Sequence, residues 1–440
     1  MLSNSLSPIF KRLFLKITPF NINVTLHWVL LANKNLQGDR GNESPSGRKN
    51  GNKRRSCSGV GIFVPMIYIH IPFCKQACHY CDFHFSTSLQ YKTEMVNALL
   101  REIELRSPYL EDRKVESIYF GGGTPSLLDA DEISRIIDAV AKQFDISNHA
   151  EITLEANPDD LNAAKVNALR STSVNRFSIG IQSFFEEDLK WMNRAHTRQE
   201  ATAAIMRVQD AGFENITCDL IYGYPLLTDE KWRYNMQQLI DFAIPHISSY
   251  SMTVETKTAL AHFIKKGLSP AIDSDQAADQ MSLLIETLKG AGYEQYEISN
   301  FAKNGLYARH NTNYWKGKHY LGIGPSAHSF NGNSRSWNIA NNAKYINSIQ
   351  TNQLPFEIEH LSVRDQINEC IMTSLRTTWG LDLGQLERQF DYTVKSKILE
   401  DAAPFLEQQQ LILDDNKLRL TDAGKLMADH IMSELFIIEN

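Results

Sequence analysis

The sequence predicts an α/β protein: a partial (β/α)6 barrel followed by a C-terminal α+β domain of winged-helix-like plan. Three observations predict it. From Met66 onward, short β-branched or aromatic runs alternate with helix-spaced apolar patterns, the signal for βα units and a parallel sheet. Six such strands, the last at Ile247–Met252, stand in repeated βα units, too few for a closed eight-stranded barrel. Beyond Tyr345 the alternation stops, and helices are followed by a hairpin pattern.

The elements follow in order. Strands are expected at Ile67–Ile71, Ser117–Phe120, Glu151–Glu155, Arg176–Ile179, Asn215–Ile221 and Ile247–Met252, with a later run at Tyr293–Ile298. Helices are expected between them at Thr93–Arg106, Asp129–Phe144, Asp159–Ser171, Arg198–Ala211 and Thr228–Asp241, then at Ser274–Ala291. In such a barrel the chemistry belongs at the C-terminal strand ends, in the βα loops. Past the barrel, Ser362–Arg376, Leu383–Phe390 and Val394–Leu406 read as helices. Gln410–Leu420 reads as a hairpin around Asp414-Asp415-Asn416, and Thr421–Leu435 as a closing helix capped by Thr421. The domain expectation is therefore 1–65 extension, 66–300 barrel, 301–345 barrel-closing linker and 346–440 accessory domain.

Composition narrows the function. Of 440 residues, 42% are apolar and 22% charged, which suits a packed globular chain. A net charge of −6 argues against a protein that mainly grips nucleic acid, and six cysteines are too few for a disulfide scaffold. The charge is uneven. Residues 1–65 carry ten Lys/Arg against two Asp/Glu, a balance of +8, which leaves −14 over the rest. No clean apolar run long enough to span a membrane exists there, because Lys16, Pro19, Asn21, Asn23 and His27 interrupt Ile9–Ala32. The stretch reads as a disordered extension, or as upstream sequence before a start at Met66; a basic, acid-poor organellar leader is the alternative. The C-terminal domain is rich in acids (Asp382, Glu387, Asp391, Glu400, Asp401, Asp414, Asp415, Asp422), so a winged helix here is expected to dock protein or cover substrate, not bind DNA.

Cys74, Cys78 and Cys81 form C-x3-C-x2-C directly after the first strand. Thiolates this close suit zinc or an iron–sulfur cluster. Zinc would need a fourth ligand, which His79 or His84 could supply; a redox disulfide would leave Cys74 unexplained. A cubane held by three cysteines keeps one iron open. Gly121-Gly122-Gly123-Thr124 after the second strand allows close backbone approach to a ligand, and is equally compatible with an ordinary turn. Polar residues recur at later strand ends: Glu155, Gln182, Arg194 and Asp219. Cys218 and Cys370 stand alone and are expected to be core thiols.

The cysteine loop resembles the signature of the radical S-adenosylmethionine (SAM) superfamily. The resemblance implies a [4Fe–4S] cluster held by Cys74, Cys78 and Cys81, with SAM on the open iron and reductive cleavage to a 5′-deoxyadenosyl radical. It further implies SAM contacts from Tyr68, Tyr80, Gly122, Gly123, Thr124, Glu155, Gln182, Arg194 and Asp219. The stretches YIHIPFC, FGGGTPS, NRFSIGIQSF, DLIYGYP, HNTNYW, YLGIGPSAHS, LRTTWGL and LRLTDAG are similar to the oxygen-independent coproporphyrinogen III oxidases and their heme-chaperone relatives, the HemW family. The oxidases carry a further cysteine two residues past the third ligand, where Phe83 stands here. HNTNYW, typical of the chaperone branch, offers His310 as an axial ligand and Trp315 as a stacking surface for heme; His319 and His328 are weaker competitors. The implied function is a cytoplasmic chaperone passing heme to acceptor apoproteins, with an electron donor if SAM is cleaved. The rival readings are coproporphyrinogen III oxidation, a radical SAM methyltransferase and a zinc-stabilised binding module.

Overall fold

The computed structural model describes residues 64–438. Fifteen strands are formed among them: β1 (Met66–Ile71), β2 (Lys114–Gly122), β3 (Asp145–Ala156), β4 (Arg176–Gln182), β5 (Ile216–Tyr222), β6 (His246–Ser251), β7 (Glu294–Glu297), β8 (Asn300–Ala302), β9 (Tyr320–Ile323), β10 (His328–Phe330), β11 (Ser334–Asn338), β12 (Phe356–His360), β13 (Leu381–Asp382), β14 (Leu411–Asp414) and β15 (Lys417–Leu420). Twelve make one sheet in the order β12-β11-β10-β9-β1-β2-β3-β4-β5-β6-β8-β7. Strands β1 to β6 run parallel in sequence order, as βα repeats require. The expectation for the basic stretch 1–65 falls almost wholly outside the described residues.

Two features of the sheet differ from the sequence reading. The stretch 301–345, expected to be a barrel-closing linker, supplies strands instead. β9 pairs in parallel with β1, and β10 and β11 continue antiparallel to β12, so the sheet grows on the β1 side. On the other side β8 pairs antiparallel with β6. These strands are short, three to five residues, and too short for periodicity to announce them. The expected helix Asp159–Ser171 is also shorter. Pro158–Asp160 forms a 3-10 turn, and the helix starts at Ala163 because the Asn162 side chain accepts from the Lys165 N–H.

The alternation along the parallel strands decides where the site lies. On β4, Phe177, Ile179 and Ile181 join the apolar core, whereas Arg176, Ser178 and Gly180 line an internal cavity. On β5, Ile216, Cys218 and Leu220 face the core, and Thr217, Asp219 and Ile221 the cavity. The apolar face packs under amphipathic helices such as Ala130–Gln143, whose Ile133, Ile136, Ile137 and Val140 are buried. A barrel interior is ordinarily filled with branched apolar side chains. Here it is polar.

The C-terminal unit has the winged-helix order. Helix Val363–Leu375 leads into β13, helices Leu383–Gln389 and Tyr392–Glu407 follow, and β14 and β15 close a three-stranded sheet ordered β13-β15-β14. The hairpin turns through Asp415 and Asn416, both with positive φ, as a two-residue primed turn demands. Thr421 caps the next turn, accepting from the Gly424 N–H. The single closing helix expected over Thr421–Leu435 is broken into Asp422–Lys425 and Ala428–Glu434. Gly424 sits where a Cβ would run into the Gln410 carbonyl, so the first turn wedges against the hairpin base and cannot continue straight. Cys218 and Cys370 are buried.

Candidate active site

Chain geometry brings the cysteine loop over the polar cavity. The Cys74 N–H donates to the Ser86 carbonyl (3.0 Å), and the Ser86 N–H to Pro72 (2.9 Å), which close the base of the loop. His70 on β1 bonds the His84 carbonyl through Nε2 (2.9 Å). The segment after β4 latches the loop from the other side. The Asn193 Nδ2 donates to the Ala77 carbonyl (2.7 Å), Gln76 donates to the Asn193 Oδ1 (2.6 Å), and the His79 N–H to Met192 (3.1 Å). Lys75 pairs with Asp159 (2.7 Å) and with Asp160 in the turn after β3. All three cysteines are half-buried and line the cavity mouth.

The glycine loop extends the β1–β2 pairing beyond the strands. The Gly123 N–H donates to Ile71 (2.9 Å) and the Thr124 N–H to Phe73 (2.6 Å). A Cβ at Gly123 would lie 2.5 Å from the Phe73 carbonyl oxygen, so no side chain fits. Gly122 adopts φ +107°, and the His70 ring fills the space a side chain would take.

Glu155, Gln182, Arg194 and Asp219 converge on the same cavity with Tyr80, Gly122, Gly123 and Thr124. Gln182 holds φ +66° where the β4–β5 register slips, an uncommon conformation for a residue with a Cβ. Its buried Oε1 has no hydrogen-bond partner, and neither has Arg194 Nε. Arg194 Nη1 reaches the Cys78 sulfur (3.3 Å), and Thr124 Oγ1 the Cys74 sulfur (3.5 Å). Burial raises the Cys74 thiol to about 11 and pushes Cys81 higher still. Desolvation lifts the Glu155 carboxyl to about 8, with Asp219 adding repulsion against the Tyr119 hydrogen bond; Asp219 itself is lifted to about 6 by burial.

Tyr68 does not line the cavity. Its ring stacks on Tyr119 and its hydroxyl lies 3.2 Å from His70 Nδ1, close enough to Glu155 to feel its charge. The Tyr119 hydroxyl instead reaches Glu155 (2.8 Å). Tyr119 and Asn157 belong to the site and were not singled out from sequence; the signal was present in the polar–apolar alternation of β2 and in the residue following Glu155-Ala156.

His310 and Trp315 do not form the open ligand-and-stacking pair expected of HNTNYW. His310 lies in the first turn of a helix, Arg309–Trp315, and lines the far, N-terminal end of the same cavity with Ala308 and Asn311. Its Nδ1 contacts Ser117 Oγ (2.9 Å), its backbone N–H donates to Glu151 (3.0 Å), and it is 1% exposed. Burial and the nearby Arg176 lower it to about 3. Trp315 is buried away from the cavity under Arg376 (5.6 Å). The reason is helical geometry: five residues on, Trp315 points to a different face from His310. His319 and His328, like Trp315 and unlike His310, lie outside the cavity lining. His79 and His84 are turned to the Trp191 carbonyl (2.8 Å) and the Asn342 Oδ1 (2.7 Å), so the set expected for a zinc module is not assembled.

Comparison with known proteins decides the family. Residues 68–239 match the Radical SAM superfamily and 361–427 the HemN C-terminal domain. The heme chaperone HemW of Lactococcus lactis is 32% identical over 85% of this chain and 97% of its own length. The chain belongs to the HemW family of radical SAM proteins. HemW of Escherichia coli is 38% identical over 60% of this chain and 69% of its own. A solved structure, the radical SAM enzyme coproporphyrinogen III oxidase (HemN) of Escherichia coli, superposes with a TM-score of 0.75 at 25% identity, covering 85% of this chain and 90% of that one.

Radical SAM membership implies a [4Fe–4S] cluster and SAM, and the residues fit both. Three thiols share one cavity mouth and two already receive hydrogen bonds, as cluster sulfurs commonly do. The glycine cradle and the unpartnered atoms of Gln182 and Arg194 leave donors and acceptors for a polar ligand beside them. A cluster held there would supply one-electron chemistry toward a bound sulfonium. The chain's own task is to orient: Arg194 places a fixed positive charge by Cys78, and Glu155 and Asp219 offer acceptors deeper in.

Proposed function

We propose that this protein takes up heme and hands it to acceptor apoproteins, without net chemistry on the porphyrin, as a cytoplasmic chaperone whose SAM and cluster site governs the transfer. Cys74, Cys78 and Cys81 hold the cluster, and Gly122, Gly123, Thr124, Tyr80, Glu155, Gln182, Arg194 and Asp219 hold SAM. The observation that carries the reading is the near full-length match to proteins named heme chaperones. Phe83 supports it, standing where the oxidase branch has a further cysteine. No helix of the described residues is long and apolar enough to cross a membrane.

One observation favours a second reading, coproporphyrinogen III oxidation: the backbone follows that of the Escherichia coli oxidase across most of the chain. Two assays separate them. Protein reconstituted without oxygen should hold about four irons per chain and give a saturable Soret shift with hemin. Incubation with coproporphyrinogen III, SAM and a reductant should leave the propionates intact. A decarboxylated product would replace the chaperone reading with the oxidase.

A further inference from the structure

The cavity mouth contains a hydrogen-bond chain whose direction the sequence cannot show. Arg194 Nη2 donates to Asn157 Oδ1 at 2.6 Å. Asn157 Nδ2 donates to Thr124 Oγ1 at 3.1 Å, Thr124 Oγ1 reaches the Cys74 sulfur at 3.5 Å, and Arg194 Nη1 reaches the Cys78 sulfur at 3.3 Å. A guanidinium has donors and no acceptor, so the Asn157 atom facing it must be the oxygen. The amide nitrogen is then fixed toward Thr124. Because the Thr124 oxygen receives that N–H, its own proton is left to point at sulfur. One cation therefore sets the polarity of every bond in the chain.

We infer that Asn157 is a positioning residue for the cluster, its carboxamide simultaneously aiming the Thr124 hydroxyl at Cys74 and the Arg194 guanidinium at Cys78. The inference rests on the cluster reading of the three cysteines. Only a side chain with one donor and one acceptor at that reach serves both neighbours. An aspartate would lack the donor, and a leucine both groups. Asn157 is placed for this by β3, which ends at Ala156, and by Pro158, which starts the following turn. The same Arg194 Nη2 also donates to the Gly180 carbonyl (2.9 Å), which fixes the orientation of the guanidinium.

The consequence is electrostatic. Hydrogen bonds to cluster thiolates stabilise the reduced, more negative state and raise the reduction potential. Asn157→Leu, nearly isosteric, should lower the midpoint potential of the reconstituted cluster, read by EPR-monitored redox titration, while iron content stays at the wild-type level. A tenfold change in the reduction equilibrium corresponds to about 59 mV for one electron, and a shift of about that size is expected. Thr124→Val should shift the potential the same way, and Thr124→Ser should restore it. The Asn157→Leu/Thr124→Val pair should shift it by less than the sum of the two, since the Thr124 hydroxyl is part of what each variant removes. An Asn157→Leu midpoint equal to wild type would overturn the inference. If that variant loses iron, the Thr124→Val and Thr124→Ser pair still decides, and equal potentials for the two would overturn it. Wild-type protein that assembles no cluster would instead remove the reading beneath it.

Discussion

The two ends of the barrel use polar residues in opposite ways. At the C-terminal strand ends, half-buried cysteines sit with a strained Gln182 and with polar atoms of Gln182 and Arg194 that find no partner within the protein. At the N-terminal ends a run of polar groups pairs internally, and the buried atoms left over there, Thr312 Oγ1 and Trp315 Nε1, belong to residues outside the cavity lining. Arg176 Nε bonds the Asn215 Oδ1 (3.2 Å), its other arm reaches Thr217, and Thr217 contacts His246 Nδ1 (2.9 Å). His246 Nε2 meets the Tyr296 hydroxyl (2.9 Å), and Glu151 accepts from the first turn of the Arg309–Trp315 helix. Paired buried groups rigidify a structure, whereas unmet donors and acceptors on residues that line a cavity can serve a ligand there. Composition alone cannot tell the two ends apart, since both are rich in Arg, His and carboxylates.

Substitutions at each end should break in different currencies. The largest effect is expected at Cys78→Ala, which should abolish the cluster, read as iron content and visible absorbance, with the far-UV circular dichroism unchanged. Arg176→Met, at the opposite end, should cost about 3–5 kcal/mol of stability, because it leaves Glu151 buried beside lost partners. Chemical denaturation measures it, and whatever folds should still load iron. Arg194→Leu should keep the fold and lower SAM affinity by roughly 10- to 100-fold, the scale typical of groups surrounding a metal site, measured by calorimetry on reconstituted protein. Arg194→Leu that unfolds the chain as Arg176→Met does would erase the distinction between the ends.

Two smaller effects sharpen it. Glu155 binds its proton more tightly when folded, with a value near 8 against an ordinary 4.5. The folded state therefore loses stability as pH rises from about 4.5 to 8 and loses no more above that. Glu155→Gln should flatten this part of the melting-temperature profile of the ligand-free protein; an unchanged slope would place the titration elsewhere. His310→Ala should cost about 1–3 kcal/mol, typical of stranding a buried polar partner. Because His310 is 1% exposed at the far end of the cavity and packed against Ser117, Tyr119 and Tyr314, the Soret shift with hemin should survive. Its disappearance would show that the Arg309–Trp315 helix opens to admit the iron.

Much of this was legible in the chain. The β1 to β6 repeats, the cysteine loop and the glycine turn each carry a local signal: period-two alternation, close thiol spacing, or a residue that only a tight approach requires. Helix ends followed the same logic, as with the cap at Thr421. The strands β8 to β12 were not legible, because a strand of three to five residues exists only when a neighbour supplies its hydrogen bonds. Tyr119, Asn157 and the enclosure of His310 were hidden for a related reason. Whether a polar side chain meets a ligand or another side chain depends on which strand lies beside it and at what register.

Local chemistry in the primary structure thus determined which atoms can bind iron and which segments alternate, since both are properties of a few consecutive residues. Only the wrapped sheet decided which polar groups pair and which stay open to the cavity, because that is set by groups far apart in the chain meeting across strands, as Arg194 meets Asn157 and Cys78, and as His310 meets Ser117.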